Sequence, residues 1–226
     1  MFNSFRDLTR FERTLWLTSV CAVVLSYTLS GGGDILTMIA SLIGVTALIF
    51  VAKGYVLGQV LTVVFAVFYG IISFFFRYYG EMITYLCMTA PIAIVSVVSW
   101  LRHPYNGSRE VAVSRLTRRQ IAVMIVSAAA VTAAFYVILR VLGNANLMFS
   151  TVSVTTSYIA SYLTFLRSPY YAVGYAANDI VLIVLWVLAT VESLSYLPMV
   201  LCFMLFLMLD VYGFVNWKRM QKRQEG

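Results

Sequence analysis

The chain has 226 residues, of which 62% are hydrophobic and only 11% are charged, against about 25% charged residues in soluble domains. So few polar side chains cannot cover a soluble domain of this size, and the excess apolar surface must therefore face lipid. The formal net charge of +7 does not require a nucleic-acid partner, because basic residues beside membrane spans are topology signals that lie on an anionic leaflet.

Eight apolar segments follow one another along the chain, separated by short connections that carry charge, Gly or Pro. This pattern is typical of successive transmembrane helices. The first segment follows a basic stretch, as in a signal peptide, but no small-x-small cleavage site follows it, so we interpret it as a helix. Pro91 lies within the fourth segment and is expected to kink it. We predict spans at about 15–29, 35–51, 55–76, 82–101, 120–142, 150–166, 170–190 and 197–217.

The distribution of basic residues supports the count of eight helices. With this count, 14 of the 16 arginines and lysines fall on one side of the membrane and two on the other. The positive-inside rule then places both termini in the cytoplasm, in a multi-pass protein of the cell inner (plasma) membrane. A seven-helix count would place the two basic termini on opposite sides.

The third and seventh segments are weakly similar in sequence. Their alignment pairs Thr62 with Asp179 and Tyr69 with Trp186. This register pairs helices two to four with helices six to eight. A single linker helix between the triplets gives them the same orientation, as in transporters with parallel repeats. We predict one transmembrane transporter domain over 1–226, which comprises an extra N-terminal helix (1–34), a first three-helix repeat (35–101), a basic loop and linker helix (102–145), a second three-helix repeat (146–217) and a basic cytoplasmic tail (218–226).

Ionisable side chains inside a bilayer are costly and mark candidate sites, and only Asp179 and Asp210 fall well within predicted spans. Tyr175 lies one turn before Asp179, and Trp186 lies two turns after it on the same helical face, with Asn178 beside the acid. Two rings that flank an acceptor can stack on a heteroaromatic solute and bind its sugar hydroxyls, and they would also favour a cation. For Asp210 we expect a structural pairing with a basic residue of the tail.

Matching polar and aromatic stripes occur on two other helices. The stripe on the third helix includes Gln59, Thr62 and Tyr69, and the stripe on the sixth helix runs through Thr151, Thr155, Tyr158 and Tyr162. The alternative is that these side chains serve as interhelical contacts and interface belts. The predicted substrate-binding set is Tyr175, Asn178, Asp179, Trp186, Gln59, Thr62, Tyr69 and Tyr158.

Neither a metal site, nor a cofactor, nor a catalytic centre is predicted. The three cysteines are far apart in sequence, and the only histidine, His103, lies at a helix end. An intramembrane serine protease needs a histidine base within the bilayer, and a metal-dependent lipid enzyme needs clustered carboxylates. The absence of a Walker motif argues against ATP-driven pumping by this chain. A transporter is therefore favoured over a membrane-embedded enzyme or a scaffold that transports nothing.

Three segments resemble the PnuC family of vitamin transporters. They are Asn178 to Trp186 (NDIVLIVLW), Tyr212 to Lys218 (YGFVNWK) and the turn Tyr79-Gly80-Glu81. The resemblance runs from about residue 35 to the C-terminus, and the closing Tyr-Gly-x-x-Asn-Trp-Lys is its most specific piece. It implies an architecture similar to that of full-length SWEET-type carriers, with three helices, a linker helix and three more.

The resemblance also implies a function. The best-known activity of the family is uptake of nicotinamide riboside by facilitated diffusion, with a cytoplasmic kinase that phosphorylates and traps the product. Relatives are assigned thiamine, riboflavin or deoxynucleosides as substrates. For this chain, a homo-oligomer is possible but not predicted from any motif. Coupling to protons through Asp179 is the alternative to facilitated diffusion.

This sequence departs from the family pattern at the entry to the seventh helix. Members that take up nicotinamide riboside carry Arg-x-x-Glu-x-Trp-x-x-Trp there, followed by an Asn four positions on. Arg167 is kept, and Phe65 stands where the third helix of the family has an Asn. Nicotinamide riboside and thiamine carry a fixed positive charge that an ionised carboxylate complements, whereas a deoxynucleoside is neutral. In the pattern of the seventh helix, this sequence has Tyr170 in place of the Glu, Ala172 and Tyr175 in place of the two Trp, and Asp179 in place of the Asn.

Overall fold

The computed structural model describes residues 4–29, 35–75, 79–144, 146–192 and 194–226. Within these residues the chain forms eight long helices, a short 3-10 turn at Leu194–Tyr196 and two isolated β-bridges, but no strand. The predicted all-α architecture is therefore confirmed for the described part of the chain. The helices are α1 (Arg10–Leu29), α2 (Ile35–Ala52), α3 (Val56–Phe75), α4 (Tyr79–Leu101), α5 (Arg118–Val141), α6 (Leu147–Phe165), α7 (Tyr171–Glu192) and α8 (Leu197–Glu225).

Six of these helices, namely α2, α3, α4, α5, α7 and α8, are long and apolar enough to cross a membrane. The helices α1 and α6 have 20 and 19 residues, but their sequences are not apolar enough to count among these six. Charged residues begin α1, whereas α6 is rich in Ser, Thr and Tyr and buries five hydroxyl side chains. Membrane spans at α1 and α6 stay predictions.

The helix α4 changes its hydrogen-bond pattern midway. Residues Thr84–Thr89 are π-helical, and the backbone N–H of Ala90 donates to the carbonyl of Tyr85, five residues earlier. Pro91 follows at once and has no N–H to donate, so the wider turn lies where an α-helical hydrogen bond would be lost in any case. A π-helical turn thus accompanies the proline that was expected to kink this helix.

The closing sequence motif satisfies the last carbonyls of α2. The indole N–H of Trp217 donates to the carbonyl of Val51 at 2.8 Å, and the Asn216 amide donates to the carbonyl of Ala52 at 2.8 Å. Helix C-termini leave such carbonyls without intrahelical partners. Trp217 is fully buried, and its ring packs 5.4 Å from Trp100 and 4.9 Å from Tyr171. The motif therefore ties the last helix to α2, α4 and α7.

Glu12 anchors α1 to the bundle and is only 2% exposed. Its carboxylate lies 3.0 Å from Lys53 and accepts hydrogen bonds from the Tyr212 hydroxyl at 2.7 Å and from the backbone N–H of Thr9 at 2.6 Å. Burial alone would raise the pKa of Glu12. The hydrogen bonds from Thr9, Tyr212 and Lys53 outweigh burial and lower the pKa below its usual value of 4.5.

The N-terminal segment, the loop after α4 and the C-terminal tail meet at one end of the bundle. Arg109 pairs with Asp7 at 2.8 Å, and Arg115 pairs with Glu225 at 2.7 Å. The hydrogen bonds from Arg115 and Gln221 lower the pKa of Glu225 to about 2. These contacts gather basic residues at one end, which we call the basic end, and both the segment from Ser4 to α1 and the C-terminal tail lie there.

Candidate functional site: a central cavity with an acid pair

A cavity of about 60 Å³ lies inside the bundle, between α2, α3, α4, α6, α7 and α8. A cavity of about 10–15 Å³ is enough to hold one water molecule, so this one has room for several. The lining residues are Gly44, Ala47, Leu48, Val51, Gln59, Thr62, Phe65, Tyr85, Thr89, Ser157, Tyr175, Asn178, Asp179, Phe203, Phe206 and Asp210.

Five of the eight predicted binding residues line this cavity. They come from α3 and α7, the two helices that the weak internal similarity pairs. Their roles in binding stay predictions. They are Gln59, Thr62, Tyr175, Asn178 and Asp179.

The other three predicted residues lie outside the cavity wall. Tyr69 lines a second, smaller cavity away from the basic end and contacts Trp186 through its side chain. Trp186 is seven residues beyond Asp179, or about 10 Å along the helix, and packs against Tyr196 with ring centroids 5.7 Å apart. Tyr158 packs against a separate apolar cluster that includes Met88 and α5, since it is rotated by one position from Ser157, which does face the cavity.

Two acids face each other in the cavity wall. Asp179 and Asp210 are 4% and 3% exposed, and their side chains interact directly. The expected pairing of Asp210 with a basic tail residue is wrong, since none of the ion pairs among the described residues involves it. The reason is helical phase: Asp210 shares a face of α8 with Phe203 and Phe206, which line the same cavity. One carboxyl oxygen of Asp179, Oδ2, has no hydrogen-bond partner in the described part of the protein.

The hydroxyl groups of α6 orient the lining residues of α7. The Asn178 carbonyl oxygen accepts hydrogen bonds from Ser153 at 3.2 Å and from Thr156 at 3.0 Å, and the Tyr175 hydroxyl lies 3.1 Å from the Ser161 hydroxyl. These contacts hold the amide and the ring in one orientation. On α6, Ser157 therefore lines the cavity, whereas Tyr158 packs elsewhere, and a role for either in binding stays a prediction.

Three phenylalanines separate the two cavities. Phe65, Phe203 and Phe206 line both of them, and the ring centroid of Phe206 lies 5.8 Å from Phe65 and 5.5 Å from Phe203. Gly44 makes room for this packing, because a Cβ there would lie 2.5 Å from the Phe206 Cζ. Sequence reasoning missed Phe203, Phe206 and Tyr85. The spacing of Phe203, Phe206 and Asp210 by three and four residues was the available signal.

Comparison with known proteins identifies the family. Residues 34–219 match the model of the family described as nicotinamide mononucleotide transporter. The chain belongs to this family. A curated relative from Neisseria mucosa, the nicotinamide riboside transporter PnuC, is 27% identical over 227 residues, which cover 98% of this chain and 86% of the relative. A crystal structure of the vitamin B3 transporter PnuC has a TM-score of 0.83 at 26% identity, covering 96% of this chain and 94% of that one.

The match decides between the classes of function that the sequence left open. The chain is a multi-pass membrane protein of a transporter family and not an enzyme, and the resemblance to PnuC read from its motifs is confirmed. The central cavity is thus the candidate solute site of a vitamin transporter.

Proposed function

We propose that the chain takes up nicotinamide riboside, or a closely related vitamin or nucleoside-like solute, by facilitated diffusion through the central cavity. The observation that carries this proposal is the wall of Gln59, Thr62, Tyr175, Asn178 and Asp179 inside a bundle of PnuC-like fold. Phosphorylation of the solute by a cytoplasmic kinase would then hold it in the cell. A homo-oligomer is a separate prediction.

The chemistry of the wall suits a ribosylated heteroaromatic ring. Tyr85 and Tyr175 offer ring faces on which a flat base can stack. The amide groups of Gln59 and Asn178 can exchange hydrogen bonds with ribose hydroxyls. The unpartnered Oδ2 of Asp179 gives one of these hydroxyls, or a ring cation, a buried acceptor.

The proposed architecture is two parallel three-helix repeats, 35–101 and 146–217, joined by a linker helix within 102–145, as in SWEET-type carriers. Two residue pairs related by the internal similarity support it. Thr62 and Asp179 both line the cavity, while Tyr69 and Trp186 contact each other beyond it. The position of α5 also fits a linker, because only Ala128 and Leu139 of its 24 residues are buried.

We infer that the basic end faces the cytoplasm of the inner (plasma) membrane. The clusters of basic residues before α1, after α4 and in the tail lie at this end, and cytoplasmic loops carry an excess of Lys and Arg. The three phenylalanines then close the cavity toward the outside. The N-terminal segment 1–34 and the tail 218–226 lie outside the repeats in this scheme.

Uptake into liposomes tests the proposal. Purified protein in liposomes with the same pH on both sides should equilibrate labelled nicotinamide riboside without ATP. Accumulation beyond equilibrium should require a nicotinamide riboside kinase and ATP inside the liposomes. Uptake that occurs only under an imposed proton gradient would overturn facilitated diffusion. No uptake by protein shown to be folded, with thiamine and deoxyuridine also tested, would overturn the vitamin transport itself.

A further inference from the structure

The acid pair of Asp179 and Asp210 indicates which chemical class of solute the cavity accepts. We propose that this pair selects solutes with a fixed positive charge, and that a proton and the solute compete for it. The inference rests on the proposed function and narrows it, since it favours a heteroaromatic cation over a neutral nucleoside.

The geometry places both acids in the path of a solute. Both side chains are more than nine-tenths buried, both line the central cavity, and they interact directly with each other. The Oδ2 atom of Asp179 is buried without a hydrogen-bond partner among the described residues. A buried acceptor left unsatisfied costs stability, and such groups in native proteins call for an explanation such as a functional role or a bound ion.

No basic side chain of the described residues compensates the pair. The ion pairs of these residues join Lys53 to Glu12 and three arginines to Asp7, Glu110 and Glu225. All of them lie at the basic end and not in the cavity. Two adjacent carboxylates in a low-dielectric site cannot both remain ionised unless a cation neutralises them. A proton must therefore compensate the pair when the cavity holds no cationic solute.

The other titratable groups that face the pair cannot supply or remove this proton near neutral pH. They are phenols and one thiol, which keep their own protons in that range. The cavity residues of α2, α3 and α6 are not titratable. The facing groups are Tyr85 from α4, Tyr171 and Tyr175 from α7, and Cys202 from α8.

Binding of a cation then proceeds as an exchange. One fixed positive charge enters the cavity, and one proton leaves the acid pair for water, so the net charge of the cavity does not change. A neutral solute of the same shape leaves the proton in place and gains no charge attraction. The affinity for the cation should therefore fall as the pH falls, whereas the affinity for the neutral solute should not.

Titration calorimetry on the detergent-purified full chain tests this exchange. The two solutes are nicotinamide riboside and its uncharged 1,4-dihydro form, each measured between about pH 6 and pH 8 in two buffers of different ionisation enthalpy. The difference in apparent enthalpy between the buffers counts the protons released. We expect proton release with the cation alone, and a cation affinity that falls by up to about tenfold per pH unit.

Variants test whether the acid pair causes the proton release and the pH dependence of cation binding. The double variant Asp179→Asn with Asp210→Asn should bind the charged and uncharged forms alike and release no proton. The matched control is Asp7→Asn, which makes the same chemical change in an exposed ion pair at the basic end and should keep the wild-type pH dependence. A melting curve shows whether each variant is folded, and the wild-type comparison stands if the double variant is not.

The outcomes separate the two claims. Equal affinity of the wild type for both forms at every pH, without proton release, would overturn cation selection and leave the transport function intact. If folded wild-type protein binds neither form, nor thiamine, riboflavin or deoxyuridine, the proposed function itself fails.

Discussion

Phe65 of α3 and Phe206 of α8 pack edge to face, with ring centroids 5.8 Å apart, and both rings lie against Gly44 of α2. With Phe203 they form the wall between the central cavity and a smaller cavity of about 10 Å³ nearer the other end of the bundle. A solute that passes between these two spaces must displace the rings. The packing at Gly44 is therefore expected to matter for both stability and transport.

Gly44→Ala should destabilise the protein by about 1–3 kcal/mol, the usual cost of overpacking a well-packed core. The added Cβ would lie 2.5 Å from the Phe206 Cζ and 3.2 Å from Phe65. Thermal unfolding in detergent measures the loss of stability, and liposome uptake measures the effect on transport. The double variant with Phe206→Leu should recover part of the stability. If Gly44→Ala is as stable as wild type, the packing of the two rings does not require a glycine at position 44.

Tyr175→Ala should weaken nicotinamide riboside binding by about tenfold, since a lost aromatic stacking contact is worth about 0.5–1.5 kcal/mol beyond its buried area. Tyr175 lines the cavity and is held by Ser161. The control is Tyr136→Ala, on a ring that is 37% exposed on α5. Calorimetric dissociation constants give the comparison. An unchanged constant for Tyr175→Ala in folded protein would remove this ring from the site.

Glu12→Gln should destabilise the protein by about 1–2 kcal/mol, because it removes a charged partner of Lys53 and Tyr212. Asp7→Asn is the control, since its exposed pair with Arg109 should contribute less than about 1 kcal/mol. Because the folded pKa of Glu12 lies below 4.5, its stabilising contribution is present above that pH and is lost as the pH falls through the folded value. The difference in melting temperature between wild type and Glu12→Gln, full at about pH 7, should therefore narrow as the pH falls below about 4.5. Equal stability at pH 7 would contradict this role.

The eight helices were predictable because apolar runs and basic connections are properties of the sequence alone. The cavity residues of α7 were predictable for a similar reason, since Asp179 is an acid in an apolar run and Tyr175 lies one turn away. The pairing of Asp210 with Asp179 was not predictable, because it depends on how α7 and α8 pack against each other. The phase of α6 was also ambiguous: hydroxyl residues occupy both its faces, and only packing distinguishes Ser157 from Tyr158.

Trp217→Phe should cost about 1–3 kcal/mol of stability, because the carbonyl of Val51 would lose its donor in a buried setting. Removing indole volume between Trp100 and Tyr171 adds to the loss. Phe75→Leu, on a ring that is 70% exposed, is the control. Thermal unfolding in detergent measures both. A melting temperature for Trp217→Phe that matches wild type would show that the closing motif does not hold α8 to α2.

The central claim, a cavity for a cationic vitamin, is tested most directly by calorimetric binding to detergent-purified protein. Nicotinamide riboside, thiamine, riboflavin and deoxyuridine are offered in turn. The account predicts binding of nicotinamide riboside, with at most one other cation, thiamine, binding comparably. Binding of deoxyuridine or riboflavin alone, or of none of the four to folded protein, would contradict it.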